Sequence, residues 1–76
     1  MKVTGTIYID EETVEIRTYL DAESVLETAC FSATMVGYCD VLGASIGITR
    51  KAPTPDAANA AIRDAMILFN IEFTSE

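Results

Sequence analysis

The clearest pattern of apolar and polar positions lies between Pro53 and Asn70, where apolar residues recur at helical spacing. Thr54 suits the N-cap, Pro55 suits the first helical position, and Asn70 can adopt the left-handed conformation that ends a helix. We therefore predict a helix over residues 54–69. The face turned to the core would carry Ala58, Ala61, Ile62, Ala65 and Phe69, flanked by Met66 and Leu68.

Ile67 departs from this pattern, because the helix places it on the polar face with Asp56, Asn59 and Arg63. A single exposed apolar side chain is common on protein surfaces. The alternative is a contact with a second copy of the chain or with a partner.

Two stretches near the start alternate with the period of a half-buried strand. Residues 2–9 and 14–20 both show this alternation, and the polar segment Asp10–Thr13 between them has the length of a hairpin turn. We therefore predict a β-hairpin over residues 2–20. Its outer face would carry Tyr8, Glu15, Arg17 and Tyr19.

The next segment fits two interpretations. Asp21 can cap a second helix over residues 22–37, with an apolar stripe formed by Ala22, Val25, Leu26, Ala29, Ala33 and Val36. That helix would present a ridge of acidic, hydroxyl and aromatic residues, namely Glu23, Glu27, Phe31, Thr34 and Tyr38. The run TACFSATMVGYC is also rich in β-branched and aromatic residues, which favours a strand. We adopt the helix, and the ridge depends on that choice.

Residues 41–51 alternate again and predict a strand with Leu42, Ala44, Ile46 and Ile48 buried. Its other face, which includes Gly43 and Gly47, is nearly bare of side chain. Glycine within a strand indicates a bulge or tight packing, or close approach by another backbone or a ligand. After the helix, residues 71–76 predict a short strand at a sheet edge, with Ile71 and Phe73 facing inward.

Composition indicates one small acidic domain over residues 1–76. The 12 acidic and 5 basic residues give a net charge of −7, which argues against direct nucleic-acid binding and favours a basic partner. No signal peptide or membrane span is apparent, so we expect a cytoplasmic protein with Cys30 and Cys39 reduced. Seven of the twelve acids fall in the first 27 residues: Asp10, Glu11, Glu12, Glu15, Asp21, Glu23 and Glu27.

Residues for common enzyme chemistry are missing. The chain has no histidine, which excludes Ser–His and Cys–His nucleophile pairs. Two cysteines with eight residues between them and no histidine do not make a zinc site, and Asp10–Glu12 lacks the alternating ligands of a calcium loop. We therefore expect neither an enzyme nor a bound metal or cofactor.

Two resemblances bear on function. The segment SIGITRKAPTPDAANAAIRDAM resembles the last strand and helix of a double-stranded-RNA-binding domain. Thr54, Pro55 and Asp56 replace the basic start of that family's helix, so RNA binding by that route is not expected. In size, acidity and α+β pattern, the chain also resembles small phage inhibitors of host defence, including anti-CRISPR proteins. That resemblance implies carboxylates that stand where a nucleic-acid backbone would lie.

These patterns predict a two-layer α+β domain of order ββαβαβ, with a mainly antiparallel sheet packed on two helices. The leading hypothesis is a non-enzymatic module that binds and inhibits or regulates a basic, nucleic-acid-binding protein. The residues expected at that partner are Glu11, Glu12, Glu15, Glu23, Glu27, Phe31 and Tyr38. The alternative is a structural homo-oligomer, at least a dimer, that uses Ile67, Gly43 and Gly47. A third hypothesis is a small-molecule-binding domain that uses the face between Gly43 and Gly47.

Overall fold

The computed structural model of the protein describes residues 1–17 and 25–76, with the backbone alone described for 14–17 and 25–28. In these residues the fold is α+β, with one mixed sheet of four strands and one helix. The elements in chain order are β1 (Lys2–Arg17), β2 (Val25–Cys39), β3 (Ala44–Ala52), α1 (Pro55–Leu68) and β4 (Glu72–Ser75).

The sheet has the strand order β3-β2-β1-β4. β1 and β2 pair antiparallel with one unbroken register, from Thr4 opposite Tyr38 to Arg17 opposite Val25. β3 pairs antiparallel with β2, and β4 pairs parallel with β1 over Lys2–Gly5. The β3–α1–β4 connection therefore carries the chain from one edge of the sheet to the other, with α1 packed on β3 and β2 and touching β1.

The molecule divides into two regions of different thickness. We call the four-stranded part with α1 the body. We call the arm the part of the β1–β2 ribbon beyond the last β3 pair, namely Glu12–Arg17 and Val25–Cys30. The radius of gyration is 15.8 Å, whereas a compact chain of this length has about 11 Å. The extents of 51 × 20 × 17 Å agree with an elongated molecule.

The core lies between α1 and one face of the sheet. Alternate residues of each strand point to α1, so that Val3 on β1 and Met35 on β2 meet Ile62 on α1, and all three are almost fully buried. The remaining buried members are Ala33, Cys39, Ala58 and Met66, with Ile7, Phe31, Ile46, Ile48, Ala52, Ile71 and Phe73 packed partly buried around them.

The predicted helix is confirmed, together with both of its ends. The Thr54 hydroxyl accepts a hydrogen bond of 3.1 Å from the Ala57 N–H, as an N-cap does. Asn70 has a φ of 57°, and the Ile71 N–H donates to the Met66 carbonyl at 2.8 Å. The left-handed Asn70 and this bond belong to a Schellman motif, which satisfies the last carbonyls of the helix.

The predicted core face of the helix is correct in the middle and wrong at its end. Ala58, Ile62 and Ala65 are buried as expected. Leu68 and Phe69 are 78% and 52% exposed, because the helix stops there and the chain turns towards β4 beyond the edge of the core.

The predicted second helix over 22–37 is wrong where the structure describes it, because Val25–Cys39 forms β2. The strand alternative was correct for this segment. Its β-branched and aromatic residues pair with β1 on one side and β3 on the other. Residues 22–24 lie outside the described part of the chain. The predicted order ββαβαβ is therefore replaced by βββαβ over the described residues.

The predicted turn at Asp10–Thr13 is also wrong, because β1 continues through it to Arg17. The polar residues there are compatible with a strand since Asp10, Glu11 and Thr13 are exposed to solvent. Tyr19, which was predicted on the outer face of the hairpin, lies outside the described residues.

The strand predicted over 41–51 is present as β3 with shifted bounds. Ile46 and Ile48 face the core, whereas Leu42 lies in the β2–β3 turn and is 63% exposed. Gly43 closes that turn with a φ of 64°, a conformation that favours glycine, and its N–H donates to the Cys39 carbonyl at 2.8 Å. The final strand lies at the sheet edge, as predicted.

Candidate functional site

The acidic residues of β1 and β2 are brought together by strand pairing on the arm and at its root. Glu11 and Glu12 lie opposite Phe31 and Cys30, where β3 ends. Farther out, Glu15 and Glu27 are direct register partners. Three of the predicted partner-binding acids, Glu12, Glu15 and Glu27, therefore lie on the arm, and Glu11 lies at its root. Glu23, the fifth, lies outside the described residues.

Glu12 takes part in an ion pair at the root of the arm. Its carboxylate lies 2.9 Å from the Lys51 ammonium, which reaches over β2 from β3. The hydrogen bond from Lys51 to Glu12, together with the charge of Glu12, raises the pKa of Lys51 above its ordinary value. Both side chains remain substantially exposed, so solvent weakens the pair. Among the described side chains near the root, Lys51 thus offsets the charge of Glu12 and leaves that of Glu11 unpaired.

The predicted ridge of acids and aromatics does not form in the described part of the chain. Because successive residues of a strand point to opposite faces, Phe31 turns to the core while Thr34 and Tyr38 turn to the open face of the sheet. Phe31 is half-buried, and Tyr38 is 48% exposed. The expectation that Phe31 and Tyr38 share one binding surface is wrong, since it required a helix over this segment.

The open face of the sheet contains a shallow groove of about 450 Å³. A Cβ at Gly5 would overlap the Val36 carbonyl and the Gly37 backbone, so β1 and β2 approach closely here because both positions are glycine. Most residues that line the groove have short side chains, among them Thr4, Thr6, Ser45 and Gly47, and the larger side chains of Val36 and Tyr38 also line it.

The two glycines predicted to form one contact surface lie in different places. Gly47 is exposed on the open face and lines the groove. Gly43 belongs to the β2–β3 turn. The prediction of a side-chain-poor face is thus correct for β3 from Ser45 onward, and Gly43 is not part of it.

The opposite end of the molecule from the arm exposes large apolar side chains. Val41 and Leu42 line a cavity of about 420 Å³ together with Met1, and Met1 lines a second cavity together with Phe69. We call this surface the apolar end. Its exposed members are Met1, Val41, Leu42 and Phe69. Leu68, and Ile67, which is exposed as predicted at 77%, lie next to Phe69 at the end of α1.

Sequence reasoning missed the apolar end, although one local signal was present. Asp40 and Gly43 flank the apolar pair Val41–Leu42 in a turn, where polar residues are usual. Leu42 was assigned to the core because it continues the alternation of the following strand. The contributions of Met1 and Phe69 depend on the tertiary fold.

The described side chains include two free thiols and no cluster that could hold a metal ion. Cys39 is buried in the core and Cys30 is half-buried, and both are free thiols. Over residues 1–13 and 29–76, no group of three or more cysteine or acidic side chains could hold a metal ion. No helix in the described part of the chain is long and apolar enough to cross a membrane.

Comparison with protein-family models, with curated proteins and with solved structures gives no match for this chain. The geometry above is therefore the basis for any functional assignment.

Proposed function

We propose that the protein is a small non-enzymatic binding module that inhibits or regulates a basic protein through its acidic arm. The observation that carries this proposal is the unbroken pairing of β1 with β2, which extends past β3 and places Glu15 opposite Glu27 away from the body. The described arm carries three acids, Glu12, Glu15 and Glu27, against one base, Arg17, and Glu11 adds a further carboxylate at the root. This arrangement leaves net negative charge on a narrow projecting element.

Charge on a projecting ribbon suits the binding of a basic cleft. The arm is two strands wide, so it can enter a groove that the body cannot. Concentrated carboxylates raise the rate of encounter with a positive surface and discriminate against acidic partners. A cleft that normally holds a nucleic-acid backbone has the matching charge, so the partner we propose is a nucleic-acid-binding protein. The net charge of −7 makes direct binding of nucleic acid by this chain itself unfavourable.

The test is affinity capture from a bacterial lysate by the full chain at low and at high salt, with the bound proteins identified by mass spectrometry. Exposed charge pairs are screened at high ionic strength. We expect a basic nucleic-acid-handling protein to be retained at low salt and released at high salt. Capture that is insensitive to salt, or capture of acidic proteins, would contradict the proposal.

A variant carrying Glu11→Lys, Glu15→Lys and Glu27→Lys, here called the arm-reversed variant, makes the test specific to the arm and its root. Glu12 is left unchanged because it pairs with Lys51. The register partners Glu15 and Glu27 remain like-charged after reversal, so their mutual repulsion is retained. We expect the arm-reversed variant to lose the salt-sensitive partner.

A second candidate function is a structural homo-oligomer, and the apolar end favours it. Single exposed apolar residues are normal, but a contiguous exposed patch marks an interaction surface. Val41 is 89% exposed, and Leu42 is 63% exposed. The arm, with its negative charge, lies at the far end of the molecule, so two apolar ends could meet with limited repulsion.

Solution mass as a function of concentration tests this second function. An oligomer built on the apolar end would dissociate when Val41 and Leu42 are both replaced by serine. Replacement of Thr4 and Thr49, exposed on the open face, by serine is the control and would leave the mass unchanged. A monomer at high concentration would rule out this candidate.

A further inference from the structure

The edge of β1 on the β4 side is covered for only part of its length. β4 pairs with Lys2–Gly5, and the last bond of this ladder runs from the Glu76 N–H to the Gly5 carbonyl at 2.9 Å. Beyond Gly5, no strand of the described chain pairs with this side of β1. β1 continues to Arg17, so a long stretch of strand edge is open.

The alternation of the backbone identifies the groups that face this open edge. The carbonyls of Met1 and Gly5 point towards β4, where they accept from Glu72 and Glu76 at 2.7 and 2.9 Å. In a strand, every second residue directs its N–H and C=O to the same side. The register with β2 is unbroken, so Ile7, Ile9 and Glu11 direct their backbone groups to the open edge.

The side chains along this edge favour one kind of occupant. Ile9, on the α1 side, is 40% exposed, and Tyr8, on the open face, is 44% exposed, so an added strand would cover apolar surface on both sides. Asp10 and Glu11 follow directly and are exposed. A partner strand with apolar and basic residues would meet apolar and acidic neighbours.

A second copy of this chain is a poor occupant for the same edge. Pairing β1 with another β1 in a register that places Asp10 or Glu11 opposite its equivalent would oppose like charges, and in every register each chain carries a net charge of −7. Like charges on directly opposed strands are destabilising. The edge of β3, which is also open in the described part of the chain, carries Arg50 and Lys51 and would repel a basic segment.

We propose that the β1 edge from Thr6 to Glu12 binds an extended basic segment of the partner protein as an added β-strand. Main-chain hydrogen bonds to Ile7, Ile9 and Glu11 supply the pairing, and the carboxylates of Asp10 and Glu11 select basic side chains. This inference rests on the proposed function, since it names the mode by which the same acidic region holds its basic partner.

The test uses a short synthetic peptide of alternating lysine and valine as the probe. Its control is the same peptide with every backbone nitrogen methylated, which keeps the charges and removes the donors along both edges of the peptide. Because each main-chain hydrogen bond contributes to binding, we expect methylation to weaken binding at least about tenfold. Amide hydrogen exchange of the full chain should slow at Ile7, Ile9 and Glu11 with the unmodified peptide.

Two variants of the protein test the same edge from the other side. Ile9→Pro removes one N–H on the open edge, a position where a sheet tolerates proline. Ile9→Thr keeps the N–H and removes the same apolar side chain, so it controls for the loss of burial. We expect Ile9→Pro to weaken peptide binding severalfold more than Ile9→Thr, with circular dichroism confirming that both variants are folded.

Several outcomes would overturn this inference. Equal binding of the methylated and unmodified peptides would mean that the carboxylates attract basic chains without strand addition, which leaves the proposed function intact. Capture of the lysate partner by Ile9→Pro at the level of the unmodified protein, while the arm-reversed variant loses it, would have the same meaning. Self-association that Ile9→Pro abolishes would assign the edge to a second copy. If both Ile9→Pro and the arm-reversed variant still captured the partner, the result would contradict the proposed function as well as this inference.

Discussion

The body and the arm are built from the same two strands but differ in what surrounds them. In the body, β1 and β2 are flanked by β3 and β4 and covered by α1, and Met35 and Ile62 are fully buried. In the arm, the same strands continue with neither a third strand nor a helix in the described residues. Isolated two-stranded ribbons are marginally stable in water.

This difference separates stability from charge along a single pair of strands. The body supplies the buried apolar surface that stabilises the fold. The arm contributes little to that core and carries acids that a core could not accommodate without partners. Substitutions in the buried core of the body should therefore change the free energy of unfolding, and charge reversal in the arm should change binding.

The largest effect on the body is expected at the close approach of β1 and β2. Gly5→Ala would place a Cβ against the Val36 carbonyl and the Gly37 backbone, which cannot move aside as a flexible side chain can. We expect a loss of at least about 3 kcal/mol in the free energy of unfolding, measured by urea denaturation.

Gly47→Ala is the matched control for this substitution. Its Cβ would lie 3.8 Å from the Met35 carbonyl oxygen, which is an ordinary contact. We expect a change within about 0.5 kcal/mol. Similar losses at Gly5 and Gly47 would show that the strands are not closely apposed at Gly5.

A second large effect is expected where α1 meets the sheet. Ile62→Ala removes a fully buried side chain and should lower the free energy of unfolding by about 3 kcal/mol. Ile67→Ala, on the same helix at 77% exposure, should change it by less than about 0.5 kcal/mol. Thermal unfolding followed by circular dichroism compares the two. A larger loss of stability for Ile67→Ala than for Ile62→Ala would mean that the face with Ile67, and not the face with Ile62, packs on the core.

A moderate effect is expected at the start of α1. Thr54→Ala removes the hydroxyl that accepts from the Ala57 N–H, and should cost about 1 kcal/mol. Thr54→Ser retains an acceptor and should recover most of that loss in the same urea titration. An unchanged midpoint for Thr54→Ala would mean that this cap contributes nothing to the stability of the body.

The smallest effect is expected at the ion pair where arm and body join. The pKa of Lys51 is raised in the folded protein, so its stabilising contribution is present below the unfolded pKa of lysine and is lost as the pH rises through the raised value. Lys51→Met should therefore match the unmodified protein closely at neutral pH. The unmodified protein should lose slightly more stability than the variant above about pH 10. If the unmodified protein instead gained stability relative to Lys51→Met as the pH rose above about 10, folding would lower the pKa of Lys51 rather than raise it.

The features predicted correctly from sequence are those fixed by neighbouring residues. The ends of α1 depend on Thr54 and Asn70, and each acts through hydrogen bonds within a few positions of the chain. The strand alternation around Ile46 and Ile48 is likewise local. These signals survive without knowledge of the tertiary fold.

The errors arise where distant pairing decides the structure. Val25, Ala29, Ala33 and Val36 fit a helical stripe, but the segment is a strand because it pairs with β1, and from Phe31 onward also with β3. The polar run at Asp10–Thr13 is typical of a turn, but its pairing with residues 29–32 keeps it extended. The sequence thus predicted which acidic residues form the proposed binding surface. Their placement on an arm depends on the register of β1 with β2 and could not be predicted.

The apolar end shows the same limit for a functional surface. It is assembled from three separate segments: Met1, the turn at Val41–Leu42, and Phe69 at the end of α1. No periodic pattern links these segments in the sequence. The surface is apparent once β1, the β2–β3 turn and the end of α1 are placed side by side.

The central claim is that the acidic arm and its root select the partner, while the body supplies stability and most of the open β1 edge. The most direct measurement compares lysate capture by the arm-reversed variant with capture by a body-reversed variant carrying Asp64→Lys, Glu72→Lys and Glu76→Lys, three exposed acids outside the arm. Both variants change three acids to lysine, so their net charges are equal. We expect the arm-reversed variant to lose the salt-sensitive partner and the body-reversed variant to retain it. Equal loss in both would mean that overall charge, rather than the arm, determines binding, and would contradict this account.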